Sequence, residues 1–291
     1  MSVKIIIGYL RLLQRILQQE QIDLSAQVAP DIWQDFQICL AQLDERDFDV
    51  ERYIVLLHAA QPYFSRPMTL VLAERVNLQD LGLMGYLAST SLDLQQALQL
   101  LQRYYSLIFK QTNLEKLSVR EFAEHIQIEW TAAHSDYREM YELNLAIMFK
   151  IGQSIAQDTL VPPQFIQFGY VPHTALYHFE RFFGCPIHVQ QGQYAIRFSN
   201  QILYAKSIAS DQQLNQVLSS QAQQSLDSLG SFSAQQQLFK QKILHHIEQG
   251  LLQQGDMLQS YVANCLHCSE RTLQRQLKAH QLNFQDILDQ F

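Results

Sequence analysis

The chain has 291 residues, of which 47% are hydrophobic, which is enough to form a large core. This length suggests either one large domain with a small one or two domains. Its four scattered cysteines exclude a disulfide scaffold, and no apolar run is long enough to span a membrane. The net charge of −7 restricts any basic patch to a local one, and no signal-peptide cleavage site follows the first residues, so we expect a cytoplasmic protein.

Two helices are predicted in the N-terminal part. In "LDLQQALQLLQRYYSLIF" (92–109), apolar residues recur at helical spacing, and Ser91 can cap the first turn. The segment Leu143–Ile155 is apolar on most sides, which is typical of a buried helix.

Between and after these helices the pattern changes to alternation. "KLSVREF" (116–122) and "HIQIEW" (125–130) are separated by two residues, which predicts an antiparallel hairpin. "QFIQFGY", "PIHVQ" and "YAIRF" predict further strands, and "HTALYHFERFFG" predicts a short helix that ends at Gly184. We therefore expect an α+β N-terminal domain, an antiparallel sheet with packed helices, over residues 1–215.

A Gln/Ser-rich segment follows, and we interpret residues 216–237 as a domain linker that is partly helical. The remaining residues, 238–291, show only helical patterns. They contain five Lys/Arg and five Asp/Glu, whereas 269–281 alone carries a charge of +2. A basic patch in this all-α part is therefore local.

The segment 269–280 has the pattern of a capped helix with one apolar and one basic face. Ser269 is a good N-cap, and Leu273 and Leu277 form an inward stripe. The outward positions carry Arg and Gln, which can read base edges in a major groove, and Lys, which suits phosphates. These outward residues are Arg271, Gln274, Arg275 and Lys278.

The preceding helical segment carries Leu258, Val262 and Leu266 on one face, with the small Ala263 where a second helix can approach. A short turn at His267 and Cys268 joins the two helices, which is the arrangement of a helix-turn-helix. An ordinary helical hairpin with a solvated face remains the alternative.

"LQSYVANCLHCSERTLQRQLKAHQLNFQDILDQF" resembles the first helix-turn-helix of AraC-family transcription regulators. Upstream, "LGLMGYLASTSLDLQQALQLLQRYYSL" and "HTALYHFERFFGCPIHVQQGQYAIRFSNQIL" resemble the arabinose-binding-like effector and dimerisation domain of that family. The resemblance implies that Arg271, Gln274 and Arg275 enter the major groove, with Thr272 and Lys278 nearer the DNA backbone. It does not imply that the effector is arabinose.

The sequence departs from the family pattern in two places. His267 stands where the family has glycine, at a turn position that often needs a positive φ. The second helix-turn-helix of the family is missing after Phe291, so we expect an incomplete DNA-binding domain, from a truncated chain or a natural remnant, that binds double-stranded DNA weakly.

The pair Cys265 and Cys268, with His267 between them and His280 nearby, allows a metal or redox site. Zinc sites need four ligands and a thioredoxin-like pair needs a βαβ context, so we interpret both cysteines as packing residues and expect no metal ligands. "HHIE" (245–248) is interpreted as a helix surface, since zinc helices use histidines at i and i+4.

The sequence therefore predicts a ligand-responsive, AraC-type transcription regulator that is not an enzyme and uses no cofactor. Its expected partners are double-stranded DNA, a small-molecule effector and a second copy of the chain, with no membrane. The alternative is a stand-alone ligand-binding or dimerisation protein without independent DNA binding. No effector-binding residue is identified. We interpret the aromatic residues of the first domain as core, with a ligand pocket lined by them as the alternative; they are Tyr104, Tyr105, Phe122, Trp130, Tyr137 and Tyr141.

Overall fold

A computed structural model describes residues 3–41, 48–110, 117–131, 135–156, 161–254, 259–266, 268–280 and 282–288. The chain divides into two compact units, Met1–Gln223 and Gln224–Phe291. No described helix combines the length and apolar character needed to cross a membrane. Each unit has its own core.

The first unit begins with helices around a small sheet. Its helices are α1 (Ile7–Gln19), α2 (Pro30–Ala41), α3 (Val50–Ala60), α4 (Met68–Glu74), α5 (Gly82–Thr90), α6 (Leu94–Tyr104), α7 (Arg138–Ala156) and α8 (Leu176–Phe183). Three short strands, β1 (Lys4–Ile5), β2 (Phe48–Asp49) and β3 (Phe109–Lys110), pair antiparallel in the order β2-β1-β3. The unit is therefore built mainly from helices at its N-terminal end.

A larger sheet completes the first unit. Its described strands are β4 (Ser118–Glu121), β5 (His125–Thr131), β6 (Phe165–Phe168), β7 (Ile187–Val189) and β8 (Gln193–Ser199), in the order β4-β5-β8-β6-β7. The predicted hairpin is confirmed, because β4 and β5 pair antiparallel with Val119 opposite Ile128. β6 and β7 pair in parallel. A parallel pair needs a crossover connection, and α8 provides it. The α+β prediction for this unit is confirmed.

The predicted helix over 92–109 is shorter than expected and has a different cap. Asp93, not Ser91, caps α6: it has extended backbone angles, and its side chain accepts a hydrogen bond of 2.9 Å from the Gln96 N–H. The Ser91 hydroxyl instead donates to the Leu87 carbonyl at the end of α5. After Tyr104 the chain tightens into a 3₁₀ turn and then enters β3. Tertiary context has overridden helical periodicity here.

The other predicted N-terminal helices are confirmed with altered bounds. α7 contains the predicted 143–155 segment but begins at Arg138. α8 ends as predicted at Gly184, which has φ of 71°, a left-handed conformation that glycine adopts without strain.

The second unit is helical. α9 (Gln212–Gln254) begins in the first unit and contains residues 216–237, the predicted linker. α10 (Gln259–Cys265), α11 (Glu270–Ala279) and α12 (Phe284–Leu288) follow. Their apolar faces form one core with α9; its buried members are Ile243, Ile247, Val262, Ala263, Leu273, Leu277, Leu282 and Ile287.

Candidate functional sites

α11 has the capped, two-faced structure that the sequence predicts. The Ser269 side chain accepts a hydrogen bond of 3.2 Å from the Thr272 N–H, and Glu270 lies in the first turn, where the helix dipole favours a negative charge. Leu273 and Leu277 are almost fully buried in the core of the second unit. The predicted N-cap and inward stripe are therefore confirmed.

The outward side of α11 is a basic face, which we define as Arg271, Gln274, Arg275 and Lys278. All four residues are exposed, outside the stripe of buried leucines. Thr272 is only partly exposed, and its hydroxyl lies 2.9 Å from the Ser269 hydroxyl. The structure thus brings four of the five predicted DNA-contacting residues together on one exposed face, whereas Thr272 takes part in the helix cap.

α10 packs closely beside α11. Ala263 is buried where the two helices meet, and its carbonyl accepts a hydrogen bond of 2.9 Å from the Cys268 N–H. His267 and Leu258, to which the sequence assigned a turn and a packing role, lie outside the described residues. The small residue at position 263 allows the close approach that a short turn requires.

The structure gives different surroundings to the two cysteines of the pair. Neither Cys265 nor Cys268 is in a disulfide, and Cys268 packs against the core of the second unit, as predicted. Within the described part of the chain, neither cysteine belongs to a group of three potential metal ligands. His245 is exposed and His246 is partly buried; burial and the neighbouring His245 lower the pKa of His246.

The first unit contains a cavity of about 100 Å³ with mostly apolar walls, and we refer to it below as the apolar cavity. Helices α5, α6 and α7 contribute most of its walls, with α1 and β5 supplying single aromatic residues. Its apolar lining includes Met84, Ala88, Leu98, Leu101, Ile147, Met148, Ile151 and Ile155. A cavity between helices with apolar walls is a common form of small-molecule site.

Few polar groups reach the apolar cavity. The Tyr9 hydroxyl donates a hydrogen bond of 2.8 Å to Asn144 Oδ1, and burial raises the pKa of Tyr9. Trp130 also lines the cavity, and its buried indole N–H has no hydrogen-bond partner among the described residues. Leaving a buried donor unpaired costs about 1–3 kcal/mol, which an acceptor that reached this N–H would recover.

The six aromatic residues interpreted as core differ in burial. Tyr137 is only partly buried, and its hydroxyl donates a hydrogen bond of 2.8 Å to Glu51 Oε1. Tyr104 and Tyr141 are buried, as the core interpretation predicts. Trp130 is buried and Tyr105 is partly exposed, and both line the apolar cavity. Phe122 contradicts the core interpretation, since 44% of it is exposed and its ring stacks on His125 at the end of the β4–β5 hairpin. The sequence pattern singled out neither Tyr9 nor Asn144 as a possible ligand contact.

Comparison with known proteins gives the family. The model of the arabinose-binding domain found at the N-terminus of AraC transcription regulators matches residues 29–206. This chain belongs to that family. Among curated proteins no sequence matches it. The crystal structure of the transcriptional regulator CdpR from Pseudomonas aeruginosa has a similar fold, with a TM-score of 0.54 and 16% sequence identity over 97% of this chain and 82% of that chain.

Proposed function

We propose that this chain of the AraC type is a ligand-responsive, DNA-binding transcription regulator that acts without a catalytic step. In this proposal residues 1–215 sense a small molecule and dimerise, and residues 238–291 contain a helix-turn-helix that binds double-stranded DNA. The observation that carries the DNA-binding part is the basic face of α11, where Arg271, Gln274 and Arg275 are exposed together.

Base reading by this face follows from side-chain chemistry. Arginine donates two hydrogen bonds to guanine, and glutamine pairs with adenine through its amide. Lys278 lies one turn beyond Gln274 and is suited to a phosphate. The buried Leu273 and Leu277 fix the helix in the core of its unit, so the face is held on a rigid element.

Selection from a random duplex library tests this function. We expect the full chain to enrich one sequence family, and we expect Gln274→Ala or Arg271→Ala to relax the preference at one base position by about 1–3 kcal/mol. Arg181→Ala, an exposed arginine on α8, serves as the matched control and leaves the preference unchanged. No enriched duplex, with small-molecule binding retained, would instead support a stand-alone ligand-binding protein.

The apolar cavity indicates the class of effector. A sugar carries many hydroxyl groups that need partners when buried, and this lining is chiefly Leu, Ile, Met and Ala. We therefore propose a small apolar effector with a hydrogen-bond acceptor for the Trp130 indole N–H. Its binding shifts the regulator between states only through different affinities for them.

Calorimetry with two matched probes tests the effector class. We expect the full chain to bind acetophenone, which has a carbonyl acceptor, up to about tenfold more tightly than ethylbenzene, which has none, because one hydrogen bond contributes about 0.5–1.5 kcal/mol. Trp130→Phe should remove the difference, whereas Trp33→Phe, at the other tryptophan of the chain, should retain it. Equal binding of both probes by the unmodified chain, or binding of neither, would contradict the proposed effector class.

A further inference from the structure

Two histidines and one glutamate from distant parts of the first unit meet at a single point. His58 lies on α3, Glu139 on α7, and His173 between β6 and α8. His58 Nε2 is 2.8 Å and His173 Nδ1 is 2.7 Å from the same carboxylate oxygen, Glu139 Oε1. The three ligand atoms all lie within 4.8 Å of one another. None of these residues was singled out by the sequence, which predicted no metal ligands.

The three side chains of this cluster differ in burial, with the carboxylate inside and the two imidazoles at the surface. The Glu139 side chain is only 11% exposed, whereas the side chains of His58 and His173 are 53% and 58% exposed. An ion from solvent can therefore approach past the imidazoles and meet a buried carboxylate. Imidazoles bind a metal in their neutral form, so with one carboxylate this ligand set carries a charge of −1 towards a divalent cation.

The ligand set matches one class of metal ion. Imidazole nitrogen suits zinc and its first-row neighbours, whereas magnesium and calcium take oxygen ligands. Three protein ligands with an open fourth position are the usual arrangement of a zinc site that retains water.

The cluster must rearrange to bind such an ion, and its two ring nitrogens, which lie within 4.8 Å of each other, must also reach tetrahedral spacing. Ligands about 2.0–2.1 Å from a tetrahedral ion are about 3.3 Å from one another, so each N···O separation must widen by about half an ångström. Rotation of the two half-exposed imidazoles can provide this movement. Glu139 remains in place because it is buried on the long helix α7.

We propose that His58, Glu139 and His173 bind one divalent transition-metal ion, with Zn²⁺ as the type case and water in the remaining position. On binding, the two N–H···Oε1 hydrogen bonds are replaced by two N–metal bonds and one O–metal bond. Each neutral imidazole keeps one proton, which moves through solvent to its other ring nitrogen, so no net proton is released from the histidines. The ion ties α3 and α7 to the segment before α8.

Metal titration of the full chain tests the proposal. After treatment with EDTA and dialysis, we expect calorimetry to show one bound Zn²⁺ per chain. Titration with Co²⁺ should give a visible absorption spectrum that saturates at the same stoichiometry. His58→Asn and His173→Asn should each weaken binding more than about tenfold, since loss even of groups that only support a ligand costs 10–100-fold. His178→Asn, a histidine on α8 outside the cluster, is the matched control and should bind like the unmodified chain.

The cysteine pair and the adjacent histidines His245 and His246 could also bind the added metal, and variants of each pair distinguish these sites from the proposed one. Binding at Cys265 and Cys268 would add thiolate charge-transfer absorption to the Co²⁺ spectrum and would be lost in the double variant Cys265→Ser/Cys268→Ser. Binding at His245 and His246 would be lost in His245→Asn/His246→Asn. Either loss, or unchanged binding in His58→Asn and His173→Asn, would overturn the proposal.

Folding and stability provide an independent readout. His58 and His173 lie at the surface, so circular dichroism in EDTA should show that both variants remain folded. Adding Zn²⁺ should raise the melting temperature of the unmodified chain and not that of either variant, because an ion that binds only the folded state stabilises it. Less than one bound metal ion per unmodified chain would also overturn the proposal, whatever the variants do.

Discussion

Glu142 is a buried carboxyl group on α7, inside the first unit. It is 4% exposed, and burial together with the nearby Glu139 holds its pKa well above the usual value, although Arg138 acts in the opposite direction. Burial disfavours the charged form of a carboxyl group, so Glu142 keeps its proton to a higher pH in the folded chain than in the unfolded chain. One residue thus makes stability depend on pH.

The sign of that dependence is fixed by the direction of the pKa shift. As pH rises above the ordinary value of 4.5, the unfolded chain releases the Glu142 proton while the folded chain keeps it. The free energy of unfolding therefore falls with pH until the folded group also ionises. Its stabilising contribution is complete below the ordinary pKa and is lost as pH rises through the raised one.

Glu142→Gln should therefore gain stability relative to the unmodified chain as pH rises. Between pH 5 and pH 8, we expect the unfolding free energy of the variant to rise relative to that of the unmodified chain. The relative gain should be about 1.4 kcal/mol for each pH unit, as long as the pH stays below the raised pKa of Glu142. Urea unfolding in the presence of EDTA measures it. Glu121→Gln, at an exposed position, controls for loss of one negative charge. A difference that is constant across this range would contradict the assignment.

Gly8 shows how closely two elements of the first unit pack. α1 crosses the 3₁₀ turn Leu78–Leu81, and a Cβ built on Gly8 would lie 1.7 Å from the Asp80 carbonyl oxygen. The contact is to backbone, so a side-chain rotation cannot relieve it. The same interface carries a two-pronged ion pair, with Arg15 Nη1 and Nη2 at 2.8 and 2.7 Å from the two carboxylate oxygens of Asp80.

Gly8→Ala should therefore destabilise the chain even though alanine is the better helix former. Helix propensity favours alanine by about 1 kcal/mol, but forcing α1 away from the turn costs typically 1–3 kcal/mol and loosens the Arg15–Asp80 pair as well. We expect a net loss of about 1–2 kcal/mol in urea unfolding. Gln18→Ala, an exposed position on the same helix, should change stability by less than about 0.5 kcal/mol. Equal effects from both substitutions would show that α1 is free to move.

Elements whose signals are local could be predicted from the sequence. α11 has a cap, a leucine stripe and a basic face within twelve residues, and the β4–β5 hairpin has two alternating runs with a short turn. The start of α6 could not be predicted, because Ser91 and Asp93 are both good caps and only the fold assigns Ser91 to the end of α5.

The convergence of distant residues is equally invisible in the sequence. His58 and Glu139 are 81 residues apart, and Glu139 and His173 are 34 apart, so no short metal-binding motif exists. The apolar cavity likewise depends on how α5, α6 and α7 pack, which periodicity alone does not give. Sequence patterns identify faces, whereas packing decides which faces meet.

At the scale of the whole molecule, charge limits how the chain can bind DNA. The net charge is −7, and residues 269–281 carry +2. The overall field therefore opposes approach to a polyanion, whereas the basic face carries a local positive charge that would favour it. We expect affinity to depend on a small number of phosphate contacts and to fall as salt rises.

Lys278→Ala should remove about one phosphate contact and so weaken the dependence of DNA affinity on salt. In fluorescence anisotropy with one duplex between 50 and 200 mM salt, the slope of log K against log salt should become less negative by about 1, with similar weakening for different sequences. Arg181→Ala removes the same charge from α8 in the first unit, and its slope should equal that of the unmodified chain because no phosphate contact is lost. If both variants changed the slope equally, DNA attraction would arise from net charge rather than from the basic face of α11.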